Sequence, residues 1–252
     1  MMLAATGKAL KDTPLKLPAR YQNHLLAALP AEVQNRLSTH LELVHLPLGQ
    51  VVYEAGEAMR QTYFPIDSIV SWLGVLKSGV SVEVSMVGNE GLVGIASCVG
   101  DGSTPLRAIV HCAGLAYRLR AQRLIDEFNR HGEMLVLLLH FTQALLTQMA
   151  QTAVCNRCHT IDQQLCRWLL LSLDRLPGNQ LTMTQELLAN LLGVRREGIS
   201  DAAGKLHELG AIEYSRGHIT VLDRPKLATL SCECYAIVKQ AGDRLMPYVP
   251  RR

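Results

Sequence analysis

Aromatic residues make up only 5% of the 252-residue chain. That is too few for a protein that grips single-stranded nucleic acid by stacking bases on rings. Charge of one sign is also scarce. A formal net charge of +3 and a pI near 8.5 exclude a polybasic carpet on nucleic acid or membrane, so contact with a polyanion has to come from local placement of cations. Charged residues are 19% and apolar residues 48%, which excludes a disordered tail protein and an all-charged coiled coil. The longest uncharged apolar run, Met134 to Leu139, falls far below the roughly 18 residues of a bilayer span, so neither a membrane-spanning segment nor a membrane partner is expected. Lys8, Lys11 and Lys16 stand near the start without the apolar stretch of a secretory signal. The expectation is a cytoplasmic protein with reduced thiols, and seven cysteines, an odd number, also argue against a complete intrachain disulfide framework. No internal repeat or low-complexity block is present.

What is there falls into three patterns. From Leu41 to Leu119, β-branched runs alternate with glycine turns: Leu41 to Leu46, Val51 to Tyr53, Ile69 to Leu76, Val80 to Val87 and Ile109 to Cys112. Strands of this length and spacing predict a roll closed on itself. Short helical patterns flank it at 20–29, 31–38 and 120–130. From Gly132 to Arg157 the period changes, with Leu135, Leu138, Leu145 and Met149 at three-four spacing beside Leu139 and Leu146. The spacing predicts one long helix. Its apolar arc is too wide for one neighbouring sheet, which points to a second copy of the same helix; the alternative is a core helix of a monomer.

The third pattern is compact. A helix over 161–175 ends at Pro177-Gly178; Thr184 then stands as N-cap before Leu187, Leu188, Leu191 and Leu192, and Gly193 stops that run. A second helix spans Arg195 to Leu209, closed by Gly210, and a hairpin follows at Ala211 to Tyr214 and Ile219 to Leu222. Two helices, a glycine turn and a hairpin make a winged helix-turn-helix. Asp223 caps a final helix running through Cys232, Cys234 and Val238.

A helix of this length fits the major groove, and its first turns meet base edges. Arg195, Arg196, Glu197 and Ser200 occupy those turns. An arginine there forks onto guanine, and Glu197 accepts from cytosine. Lys205, Arg216 and His218 either hold the phosphate backbone or form an ordinary solvated surface.

In this order, roll, leucine-rich helix and winged helix-turn-helix resemble the Crp/Fnr superfamily of bacterial transcription regulators, over about residues 20–222. The stretch LTMTQELLANLLGVRREGISDAAGKLHELGAIEYSRGHITVL at Leu181 to Leu222 is similar to that family's DNA-binding signature. YFPIDSIVSWLGVLKSGVSVEVSMVGNEGLVGI at Tyr63 to Ile95 and SCECY at Ser231 to Tyr235 resemble one branch of it. The resemblance implies an α+β chain: a flexible tail at 1–19, a cyclic-nucleotide-binding-like β-roll (double-stranded jelly roll) at 20–130, a dimerisation helix at 131–158, a winged helix-turn-helix with C-terminal helix at 159–246, and a tail at 247–252. It further implies a homodimer on double-stranded DNA, with RNA polymerase as a further partner and no enzyme activity. Thr184, Arg195, Arg196, Glu197, Ser200, Asp201, Lys205, Arg216 and His218 become the expected DNA-binding set. Arg196 and Glu197 match the arginine-glutamate pair of the cyclic-AMP-responsive members. The next base-reading arginine of those members falls on Asp201, which implies a different preferred sequence.

The effector stays unidentified. Cyclic-nucleotide sensors of the superfamily hold the nucleotide with a glycine-glutamate pair and a later arginine; here the matching stretches read Gly94-Ile95 and Leu106-Arg107-Ala108. The carboxylate is missing and Arg107 is one residue out of register. A buried phosphate without a charged partner is costly, which argues against cyclic AMP. The candidate pocket set is Glu83, Asn89, Glu90, Gly94, Arg107 and His111, and the turn Val87 to Gly91 is either a pocket mouth or a simple link between strands. Oxygen-sensing members carry an N-terminal cysteine cluster, whereas residues 1–40 hold no cysteine, so no iron-sulfur cluster is expected. Cys155 and Cys158 have CxxC spacing, with His159 adjacent, but lack the second pair that zinc needs, and no metal is assigned to them. Cys98, Cys112 and His111 are either core residues or ligands of haem and targets of oxidation. Two other classes remain: a roll that regulates a protein partner, and a thiol oxidoreductase on Cys155 and Cys158, which lacks the strand-helix context that such chemistry needs.

Overall fold

A computed structural model of the chain describes residues 22–215 and 217–245. Arg216 and both expected tails lie outside the described residues. Two helices open the fold, α1 (His24–Ala28) and α2 (Ala31–Ser38). The roll follows: β1 (Glu42–Leu46), β2 (Val51–Tyr53), β3 (Gln61–Pro65), β4 (Ile69–Val75), β5 (Ser81–Val87), α3 (Ala96–Val99), β6 (Arg107–Cys112) and β7 (Gly114–Arg120). After α4 (Ala121–Phe128) and the long α5 (Glu133–Cys158) come α6 (Ile161–Leu173), β8 (Gln180–Thr182), α7 (Gln185–Leu192), α8 (Arg196–Glu208), β9 (Ile212–Ser215), β10 (His218–Val221), α9 (Arg224–Leu230) and α10 (Glu233–Leu245). The fold is α+β.

The roll is two antiparallel sheets, ordered β1-β7-β3 and β2-β6-β4-β5. Their inward side chains, among them Phe64, Val70, Val87, Val110 and Leu119, form one core that α1, α2 and α4 close from outside. Strands β3 and β7 were not expected. Gln61–Pro65 has a proline and one β-branched residue, and it is held extended by its pairing with β7 from Gln61↔Arg120 to Pro65↔Ala116. A third sheet, β8-β10-β9, makes the wing; β8 is too short to have shown a period.

Helix α5 carries two faces. Met134, Leu138, Phe141 and Leu145 are buried in the roll core, and the Gln148 amide clasps the β5 backbone, donating to Met86 O at 2.9 Å and accepting from Met86 N at 3.3 Å. Gly91 lies so close to the Phe141 ring that a Cβ there would stand 2.0 Å from it. Pointing away are Val136, Leu139, Gln143, Leu146, Ala150 and Ala153, all exposed, at the three-four spacing of a coiled-coil seam. By length and composition alone α5 could cross a bilayer, but one of its faces belongs to the roll core.

One expectation is corrected at the final helix. It is two helices, α9 capped by Asp223 through a 2.9 Å bond from Lys226 N, then a break where Ser231 turns extended (ψ 164°) before α10. The helix-turn-helix unit shares its core with the roll: Ile69, Leu73, Met86 and Cys112, on one side of the β2-β6-β4-β5 sheet, cluster with Leu165, Trp168 and Leu169 of α6.

Candidate nucleic-acid interface

Local chemistry sets the two helices of the helix-turn-helix unit. Thr184 Oγ1 accepts from Leu187 N at 3.2 Å and so caps α7, satisfying an orphan donor of the first turn. Gly193 ends α7 in the left-handed conformation at φ 66°. Helix α8 packs behind through Ile199, Ala202, Ala203 and Leu206, all buried, which leaves the opposite face to solvent.

On that face Arg195, Arg196 and Glu197 are exposed at the first turn of α8, with Asp201 one turn on. Ser200 is half-buried instead. Its hydroxyl donates to Gln185 Oε1 at 2.8 Å and so ties α8 to α7; the structure gives it a positioning role. Lys205 Nζ pairs with Asp162 of α6 at 3.0 Å, both exposed. In the wing, His218 Nδ1 lies 3.3 Å from Thr182 Oγ1. Thr184, Gln185, Glu186, Arg196, Tyr214 and Gly217 line one cleft between α7, α8 and the wing. The sequence reading missed Gln185, Glu186 and Tyr214. The position of Gln185 next to the Thr184 cap was the available signal, since first-turn residues of both helices face the same way. Tyr214 donates to Met183 O at 3.1 Å, a long-range bond with no sequence trace.

The pocket candidates of the roll do not converge. Arg107 Nε donates to Glu54 Oε2 at 2.7 Å, and both side chains are about 40% exposed. Gly94 lies against Thr62 at φ 109°. Asn89 and Glu90 sit in the β5 turn, where Glu90 accepts from Arg175 at 2.8 Å and Gly88 touches the Arg175 stem; the turn docks on α5 and the end of α6, and Asn89 and Glu90 line a cavity there with Phe141, Gln148 and Arg175.

Glu83 and His111 point at α6, not into the roll. Glu83 accepts from Trp168 Nε1 at 3.1 Å and from Ser71, whose hydroxyl also meets His111 Nδ1. The His111 and Trp168 rings lie 5.2 Å apart. Burial pushes Glu83 up to about 7, against the Ser71 bond and the Arg167 charge. Burial also pushes His111 down to about 3, helped by the Arg175 charge. The linkage follows from those directions. A raised Glu83 contributes stability present below its ordinary 4.5 and lost as pH rises through about 7. The lowered His111 contributes stability present above its ordinary 6.5 and lost as pH falls toward about 3. Between 4.5 and 6.5 the two slopes cancel. From 6.5 to about 7 only the Glu83 slope remains, at about 1.4 kcal/mol per pH unit, and above about 7 the Glu83 contribution is fully lost. Urea unfolding at about pH 8 should therefore find Glu83→Gln more stable than the parent, by up to about 3 kcal/mol. A less stable variant would mean that an ionised carboxylate holds this junction.

The cysteine candidates separate as well. Cys158 is exposed and Cys155 is fully buried, so the CxxC spacing does not put the two thiols in one environment. Cys155 meets Cys232 and Cys234 instead. Cys98 is half-buried near Ser97, and Cys112 is buried in the shared core with its thiol pushed up to about 12 by burial.

A family described as the Crp-like helix-turn-helix domain matches residues 163–230. No curated protein matches the chain. Solved structures do. FixK2 from Bradyrhizobium japonicum is 16% identical with a TM-score of 0.63, over 76% of this chain and 98% of that one. The c-di-GMP-responsive global regulator CLP of Xanthomonas campestris is 15% identical with a TM-score of 0.60, over 77% and 100%. A CRP/FNR-family transcriptional regulator from Thermus thermophilus is 20% identical with a TM-score of 0.57, over 75% and 98%. At such identities the likeness is one of fold. Residues 163–230 are thus a Crp-like helix-turn-helix domain, carried on a chain with the fold of the Crp/Fnr transcription regulators.

Proposed function

We propose that this protein is a homodimeric, sequence-specific regulator of transcription that reads duplex DNA with α8. The observation that carries the reading is the exposed Arg196-Glu197 pair on the first turn of α8, held by the Ser200–Gln185 bond and flanked by a wing. A fork of donors and an adjacent acceptor suit the edges of a guanine-cytosine pair. Arg195 and the α7 N-terminus suit the neighbouring phosphates; His218, Lys205 and Arg216 are the backbone contacts proposed with them. Asp201 is an anion toward the groove, and sets a preference different from that of an arginine there.

The outward seam of α5 supports the dimer, because Leu139 and Leu146 are 51% and 56% exposed in one protomer and apolar side chains at that spacing bury best against their own copy. Two reading helices then address half-sites about one turn, 10 base pairs, apart. Such a regulator works in the cytoplasm beside its DNA, blocking or recruiting RNA polymerase, with no reaction of its own. The junction of β5 and α6 is where a signal would act, through the Glu83–Trp168 bond and the contact of Gly193 with Val82, shifting a population between two placements of the reading unit. The Arg107–Glu54 pair supports a signal other than cyclic AMP, since it engages the arginine that stands closest to the phosphate-binding register.

Selection from a random duplex library, followed by footprinting, tests the proposal. An interrupted palindrome protected in two successive major grooves is the expected result. Salt-sensitive binding with no enriched sequence would remove the regulator and leave a non-specific binder.

A further inference from the structure

Four side chains from two distant stretches meet where α5 ends. Cys155 lies in the last turn of α5 and His159 is its C-cap; Cys232 sits in the break between α9 and α10, and Cys234 opens α10. Cys155, Cys232 and Cys234 are 0%, 5% and 1% exposed. Cys155 Sγ stands 3.6 Å from Cys232 Sγ, and Cys234 Sγ stands 3.7 Å from His159 Nδ1. All four ligand atoms lie within 4.8 Å of one another.

The 3.6 and 3.7 Å pairs match the edges of a tetrahedral shell. Metal–sulfur bonds of about 2.3 Å give sulfur–sulfur edges of about 3.8 Å, and a metal–nitrogen bond of about 2.0 Å gives a sulfur–nitrogen edge of about 3.5 Å. The wider pairs need to close by on the order of 1 Å, and the space holds one ion rather than a multinuclear cluster. The imidazole is already turned for ligation. With Nδ1 facing the thiols, its Nε2 lies 3.3 Å from Glu233 Oε2, the carboxylate–histidine arrangement that fixes a ligand's tautomer. Charge also fits. Three thiolates and a neutral imidazole on a divalent ion leave one negative charge, and the buried Arg167 guanidinium acts on Cys155 and Cys234. Its Nε has no hydrogen-bond partner among the described residues, while its Nη2 donates to Thr152 Oγ1 at 2.8 Å.

We infer that Cys155, His159, Cys232 and Cys234 bind a single zinc ion in a closed, structural Cys₃His site. Three thiol protons leave as the ion binds, and no electrons move. Closed four-coordinate shells of this composition are structural rather than catalytic. The ion would pin the end of the seam helix α5 to the α9–α10 turn, and so fix the angle at which the reading unit leaves the long helix. This inference rests on the four side chains alone and stands or falls separately from the DNA-reading proposal.

The test is zinc content of the full chain, purified with a reductant and measured by plasma mass spectrometry. Near one zinc per protomer is expected in the parent and in Cys158→Ser, whose side chain is exposed, and its loss in Cys155→Ser and Cys234→Ser. Should those two variants fail to fold, cobalt added to the zinc-stripped parent gives the decision: intense visible bands of tetrahedral cobalt thiolate support the site. A zinc content unchanged in Cys234→Ser, a reduced parent that takes up neither zinc nor cobalt, or a Cys155–Cys232 disulfide in the protein as isolated would each overturn it.

Discussion

Replacing Arg196 and Glu197 by alanine should abolish sequence-selective DNA binding while the fold persists. Both side chains are exposed and make no core contact, so surface truncation costs within about 0.5 kcal/mol of stability. Each lost base contact costs about 1 to 3 kcal/mol, and a dimer loses each one twice. For Arg196→Ala alone that is about 2 to 6 kcal/mol, or roughly 30-fold to more than 10⁴-fold in affinity for the preferred site. Binding to unrelated duplex should fall far less, because a phosphate-only contact weakens all sequences uniformly. Arg196→Lys separates the two possibilities. It keeps the charge and loses the planar fork, so a base reader stays impaired and a phosphate contact recovers. Fluorescence anisotropy on the selected site and on a scrambled duplex, at two salt concentrations, gives the readout. Equal losses on both duplexes would move Arg196 from the base edge to the backbone.

The second large effect belongs to the seam. Leu139→Asp with Leu146→Asp should turn the proposed dimer into a folded monomer. About half of each side chain is still exposed in one protomer, so each leucine has about 0.8 to 1.5 kcal/mol left to gain from burial. Four of them across a twofold seam amount to about 3 to 6 kcal/mol, a weakening on the order of 100-fold to 10⁴-fold, before the charge repulsion is added. Sedimentation over a range of concentrations measures it. The roll should keep its thermal midpoint, because Leu138, Phe141 and Leu145 hold the other face of α5 in the core. A variant that sediments as the parent does would place the dimer contact elsewhere. The same variant should bind the palindrome as poorly as a single half-site, since one α8 reaches one groove.

Much of the reading unit was legible in the chain because its signals are local. A threonine before a leucine run, a glycine after it and an aspartate before Arg224-Pro225 fix helix ends through bonds to backbone groups three or four residues away. The roll strands rich in β-branched residues were legible for the same reason. Gln61–Pro65 was not, since it is a strand only because β7 lies beside it. The pocket set failed to converge on a similar ground: alternation puts Glu83 and His111 on the opposite side of their sheet from the roll interior, and only the position of α6 shows what covers that side.

The sequence by itself therefore settled where helices and turns begin and stop, that a winged reading unit follows a leucine-rich helix, and which two exposed residues open its second helix. Tertiary structure alone decided which face of α5 meets the roll, that Glu83 and Trp168 share a buried bond, and that Cys155 lies beside a thiol 77 positions away instead of its CxxC neighbour. Caps and periods act over one or two turns of chain and leave their mark in neighbouring letters. Convergence of side chains depends on the path of the whole backbone, which no short window of sequence contains.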